Sequence, residues 1–151
     1  VFRIEDEEHE MTQDRSTVVV VGAGAAGHAA ATTLRRGGYE GPVVLVHGES
    51  GPPYNRTLVD KALLQGMLTP EQAALPALDG LEVELVTARA TALDAAGTTV
   101  TLSDGRRISS AALVVATGSA PRPDDLVDAG ERRILHLHTA ADAVRVRGLL
   151  E

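Results

Sequence analysis

The sequence predicts an α/β fold in which a parallel sheet carries a three-stranded antiparallel β-meander. Three observations carry this. Two apolar runs, VVVV at 18–21 and PVVLV at 42–46, flank an alanine-rich segment. Strands that stay apolar without alternation are buried on both faces, as in parallel sheets joined by helical crossovers. Between residues 81 and 110 the pattern changes to alternation broken by turn residues, which marks antiparallel strands with one wet face. A last apolar run, ALVVA at 112–116, returns to the buried pattern.

Taken in order, the first strand covers 18–21 and a helix covers 25–37, ended by Gly37-Gly38 as C-terminal glycines end helices. The turn between them holds Gly22, Gly24 and Gly27, the spacing G-x-G-x-x-G. Each glycine has its own task in a dinucleotide site: a tight turn, a close approach of phosphate to backbone, and close packing of helix on strand. The amides opening the helix, at Ala25 and Ala26, then face the phosphates with Ala23 beside them. Strand, glycine turn, helix and second strand together define a Rossmann-type unit. An acid about 20 residues further on is expected to accept a ribose hydroxyl. Glu49 stands 22 residues after Gly27, just past the second strand at 43–46.

Residues 48–55 read as a loop and 57–65 as a short helix stopped by Gly66. Thr69-Pro70-Glu71-Gln72 has the form of a second helix start with a capping box. Leu81, Val83 and Leu85 alternate with Glu82 and Glu84, and 87–93 continue that strand. A turn at 94–97, the run TTVTL and the pair Asp104-Gly105 complete a meander over 81–110. Residues 112–116 form another buried strand, ending in Thr117-Gly118. Pro121 and Pro123 break the chain, 134–137 form a short strand, and Thr139 caps a helix running to the C-terminus.

Bulk composition narrows the function. A chain of 151 residues is one domain, or one domain with part of another. The formal charge of −7 disfavours nucleic acid or an anionic membrane as partner. No cysteine is present, which removes disulfides, thiolate chemistry and cysteine metal sites. The uncharged stretch 17–34 is not a membrane span, because three glycines sit within it. Residues 1–15, rich in carboxylates, read as a disordered acidic tail or tag remnant. The lack of a signal peptide or lipidation motif favours the cytoplasm. His136 and His138 share a strand face, but no third ligand is near them, and no metal site is expected.

Four segments carry a resemblance: VVVVGAGAAG at 18–27, PYNRTLVDK at 53–61, TVTLSDGRRI at 99–108 and LVVATGSAPR at 113–122. From about residue 18 onward the chain resembles the N-terminal part of the FAD-dependent pyridine nucleotide–disulfide oxidoreductase superfamily. It is most similar to the ferredoxin and rubredoxin reductase branch, which lacks a redox-active disulfide. The FAD-binding part of nitrite reductases shares the Tyr-Asn-Arg loop and is an alternative, as is a non-catalytic nucleotide-binding module.

The resemblance implies FAD as cofactor, NAD(P)H as co-substrate of the full enzyme, and an iron–sulfur protein of ferredoxin or rubredoxin type as electron acceptor. It places the pyrophosphate on Gly22, Gly24 and Gly27 and the adenosine ribose on Glu49. It puts Arg56 and Lys61 on the phosphate and isoalloxazine side, with Lys61 as the catalytic candidate. Ala116, Thr117 and Gly118 would line the cofactor cleft with Arg122 beyond them, and Ala90 would meet adenine through its backbone. The FAD-binding part would cover 16–123, and 124–151 would connect to a nicotinamide domain beyond this chain. The sequence departs from the branch in four ways. The loop between Gly48 and Tyr54 is one residue short, Asp60 replaces a serine, and Ala111 replaces an aspartate. A second dinucleotide motif and the branch's downstream Gly-Asp pair are absent, so the chain alone is expected to be inactive.

Overall fold

The computed structural model describes residues 16–94, 96, 98–122 and 135–150. The expected tail at 1–15, and most of the segment leading to the last helix, lie outside the described residues. Four strands, β1 (Val18–Val21), β2 (Val43–His47), β3 (Val83–Thr87) and β7 (Ala112–Val115), form a parallel sheet in the order β3-β2-β1-β7. β4 (Ala90–Leu93), β5 (Thr99–Leu102) and β6 (Arg107–Ser109) form a separate antiparallel sheet. Helix α1 (Ala25–Arg36) crosses from β1 to β2, and α2 (Ala140–Leu150) closes the described chain.

The two-residue period of a strand sorts the core into two layers. Val18, Val20, Val43 and Leu45 pack with Ala31 of α1 on one face. Val19, Val21, Val44 and Val46 pack with Val100, Leu102 and Ile108 of the meander on the other. β1 and β2 are buried along their whole length because both faces are covered. Arg35, in the last turn of α1, donates to the carbonyl oxygens of Tyr39, Gly41 and Glu82 at 2.6–2.8 Å. That guanidinium fastens the helix end to the entries of β2 and β3.

Several local expectations are corrected. The strand read over 81–93 is two strands in two sheets: β3 joins the parallel sheet, and the chain breaks at Ala88-Arg89 before β4 opens the meander. The meander therefore spans Ala90 to Ser109. Alternation gives no sign of the break because both strands are only partly covered and keep the same period. β7 reads as buried, yet among the described residues it is an edge strand, and Val115 is 66% exposed. The helix read at 57–65 is a 3₁₀ turn, Arg56–Leu58, followed by a π-helical turn, Val59–Leu63. Asn55 Oδ1 tightens its start by accepting from Thr57 N–H and Oγ1–H. The capping box at Thr69 and Gln72 does form, with bonds of 2.9 and 3.3 Å. No helix follows, because Leu75 N–H pairs with Pro53 O and Ala74 bridges Tyr54 instead. The strand expected at 134–137 is absent over residues 135–137, and Ile134 lies outside the described residues.

Candidate functional site

The C-terminal ends of β1, β2 and β7 open into a cleft of about 390 Å³. Open α/β sheets place ligands there, outside the carboxyl ends of the strands. Gly22 leaves β1 at φ +104°, and a Cβ on it would lie 2.2 Å from Ala116 O. A Cβ on Gly27 would stand 1.7 Å from Gly22 O and 3.2 Å from Val20 Cγ1. The turn thus brings backbone against backbone, and only glycine fits at either position. Gly24 differs: its Cβ would meet nothing within 4 Å. It occupies the N-cap of α1 without a side-chain cap, and the first turn has no acid. The first amides of α1 have no capping side chain at the front of the cleft, which is the arrangement that binds anions at helix N-termini.

A second wall is made of side chains. Tyr54 donates its hydroxyl to Glu49 Oε2 at 2.8 Å, and Arg56 Nη2 forms an ion pair with Glu49 Oε1. Arg56 also stacks 5.3 Å from the Tyr54 ring centroid and donates to His138 O at 2.9 Å. The His138 ring nitrogen Nε2 lies 2.8 Å from Ser119 O, joining the exit of β7 to the entry of α2. Burial acts to raise the Glu49 pKa, but the hydrogen bonds from Tyr54 and Arg56 outweigh it and hold the carboxyl below its usual range. Burial pushes the Tyr54 phenol up, and its bond to the Glu49 carboxylate adds to that. At neutral pH the pair is therefore a phenol donating to a carboxylate.

Gly22, Ala23, Gly24, Glu49, Arg56, Ala90, Ala116, Thr117 and Gly118 all line this cleft. Ala25 and Ala26 are exposed at the start of α1, and Gly27 is buried beneath it. Lys61, in the π-helical turn, and Arg122, beyond β7, are exposed and stand outside the cleft wall. Sequence reasoning missed His138, Thr139, Ser119 and Arg89, which also line it. Thr139 carried one signal, its reading as the cap of the last helix, and it does cap α2: its hydroxyl accepts from Asp142 N–H at 3.1 Å, and Asp142 Oδ2 accepts from Thr139 N–H at 2.8 Å. His47 is 5% exposed at the cleft wall, and among the described residues its Nε2 is buried without a hydrogen-bond partner. Among the described residues no group of three or more His, Cys, Asp or Glu is placed to hold a metal ion. No helix among them is long and apolar enough to cross a membrane.

Residues 16–149 match the family model described as pyridine nucleotide-disulphide oxidoreductase. The chain belongs to this family. Among similar proteins, the ferredoxin–NAD(+) reductase component of the p-cumate 2,3-dioxygenase system of Pseudomonas putida is 34% identical over 93% of this chain and 36% of that protein. Putidaredoxin reductase of Pseudomonas putida is 36% identical over 70% of this chain and 26% of its own length. A ferredoxin reductase from Rhodopseudomonas palustris superposes with a TM-score of 0.81 at 30% identity, over 88% of this chain and 34% of that one. The crystal structure of the covalent putidaredoxin reductase–putidaredoxin complex gives a TM-score of 0.80 at 32% identity, over 89% of this chain and 34% of the matched one. The chain thus spans between about a quarter and about a third of the length of these relatives. As a member of the pyridine nucleotide-disulphide oxidoreductase family it carries the ferredoxin reductase-like form of the N-terminal segment.

Proposed function

We propose that this chain is the FAD-binding portion of an NAD(P)H-dependent reductase that passes electrons to a ferredoxin- or rubredoxin-like protein. The observation that carries the proposal is the cleft itself: two glycines whose Cβ atoms would overlap backbone, and a third that leaves the front of an uncapped helix open. A dinucleotide fits that donor set. First-turn amides of α1 would take the pyrophosphate, as helix N-termini take phosphate. Glu49 has one chain donor on each oxygen and retains lone pairs for ribose hydroxyls. Ala90 and Arg89 line the same cleft and would border adenine.

When bound, the flavin supplies the redox chemistry, taking a hydride from reduced nicotinamide and releasing electrons singly. The chain's own share is to bind and orient. Arg56 offers a planar cation suited to phosphate, and it ties the His138 backbone to the cleft wall. Lys61 retains the role proposed on the flavin side, which requires this exposed side chain to turn toward the cofactor. Residues 124–151 are proposed to lead into the nicotinamide domain, and a cytoplasmic setting completes the reading. The named relatives act with ferredoxins in dioxygenase systems or with putidaredoxin, which supports an iron–sulfur acceptor here.

Titration of FAD into the chain tests the reading. Binding on the order of micromolar is expected, since the chain spans only part of its relatives' length and each 1.4 kcal/mol costs about tenfold. The bound chain should not oxidise NADH with ferricyanide. Failure to bind FAD would overturn the proposal, and turnover at about 1 s⁻¹ or more would overturn the division of labour within it.

A further inference from the structure

Tyr54 is 8% exposed, with its ring in a cluster with Val59, Leu63, Ala73, Ala140 and Ala143. Its hydroxyl has two partners on different elements. Ala140 N–H, at the start of α2, donates to the phenol oxygen at 3.1 Å. The amide can only donate, so the phenol proton is directed to the other partner, Glu49 Oε2, at 2.8 Å. Other amides around that helix end have partners too: His138 and Thr139 N–H donate to Asp142 Oδ2, and Asp142 N–H to Thr139 Oγ1. One hydroxyl therefore joins the carboxylate in the cleft to the start of α2, which lies 86 residues from Tyr54 in sequence.

We infer that Tyr54 is a positioning residue that orients Glu49 for a ribose and couples occupancy of the cleft to the docking of α2. This rests on the cleft being a dinucleotide site. The phenol fixes the rotation of the carboxylate, so the lone pairs left to it face the cleft in one orientation. A ribose bound to Glu49 immobilises the carboxylate that holds the Tyr54 hydroxyl, and so steadies the oxygen that accepts from Ala140 N–H. Linkage makes the effect mutual: whatever steadies α2 tightens the nucleotide by the same factor. Arg56 reinforces the device by bridging Glu49 to His138 O.

The test compares ADP with 2′,3′-dideoxy-ADP, which lacks the ribose hydroxyls, by calorimetry on the chain and on Tyr54→Phe. Phenylalanine keeps the ring in its cluster and removes only the hydroxyl. The substitution should weaken ADP by about tenfold, the scale of one hydrogen bond to a charged group, and leave dideoxy-ADP unchanged. Equal loss for both nucleotides, or no loss for either, would overturn the positioning role. A second measurement needs no variant: ADP should slow hydrogen exchange of the Ala140 amide in the unaltered chain. An unchanged rate would overturn the coupling to α2. Absence of ADP binding by the unaltered chain would instead remove the dinucleotide reading on which both rest.

Discussion

Between Val18 and His47 the cleft is walled by backbone, and between Glu49 and Ala140 it is walled by side chains. In the first region Gly22, Gly24 and Gly27 matter for what they lack. Their neighbours are carbonyl oxygens and open space, all supplied within one strand–turn–helix and the adjoining end of β7. In the second region Glu49, Tyr54, Arg56 and His138 matter for what they carry; the first three are close in sequence, and Arg56 and Tyr54 meet His138 and Ala140 across 82 and 86 residues of chain. At Gly22 and Gly27 the backbone site tolerates no added atom and little movement, while at Gly24 an added side chain would fill the space left for a ligand. A side-chain site tolerates substitution but depends on the segments that deliver its members. The two should therefore fail differently, the first by loss of fold or of ligand, the second by graded loss of order.

The sharpest break is expected at Gly27→Val. Its Cβ would fall 1.7 Å from Gly22 O, and neither backbone can yield without parting α1 from β1. Overpacking of this kind should cost about 3 kcal/mol or more, read by urea denaturation. Gly24→Val, in the same motif, should separate ligand from fold. Space is open there and φ is −66°, so stability should stay within about 1 kcal/mol. FAD affinity should fall by more than about tenfold, because the methyl groups occupy the phosphate approach. Normal FAD binding by that variant would show that the turn is not the phosphate site.

Substitutions in the side-chain wall should do less to the fold. Arg56→Ala removes a partly exposed ion pair, one bond to His138 O and a stacking contact. A loss of about 1 kcal/mol is expected by thermal unfolding, with weaker ADP binding alongside. The Glu49 pKa is lowered in the folded chain, so its contribution is present above the unfolded carboxylate value and is lost as pH falls through the folded one. The difference in melting temperature between the unaltered chain and Glu49→Gln should therefore be largest near about pH 7 and shrink below about pH 4. A difference that grows on acidification would reverse the assignment. Smallest of all should be Val115→Thr on the open side of β7, within about 0.5 kcal/mol, since that side chain is 66% exposed.

Much of the backbone wall is legible in the amino-acid sequence. Unbroken valine runs, an alanine helix and the glycine spacing are local patterns, and local sterics force each of them. Less is legible where neighbours decide. Residues 83–87 and 90–93 share one alternation, yet hydrogen bonding sends the first to β2 and the second to β5. The run at 112–115 reads as buried, but its burial depends on a second neighbour that these residues do not supply. Thr69 and Gln72 form their capping box and still start no helix, because pairing of Ala74 and Leu75 with residues 53–54 takes the following backbone.

The α/β class, the parallel order of β1 and β2 about α1, and the glycine turn that makes the cleft possible all follow from the order of residues alone. They rest on hydrophobic period and on the space a missing Cβ leaves, which are properties of short segments. The sequence also points to Glu49 and Arg56 in the second wall, but that Tyr54, His138 and Ala140 join them is settled only by contacts in three dimensions. Glu49, Tyr54, Arg56, His138 and Ala140 are joined by hydrogen bonds whose partners lie on different elements. A hydrogen bond is set by distance and angle in space, and separation along the chain leaves no periodic trace of it.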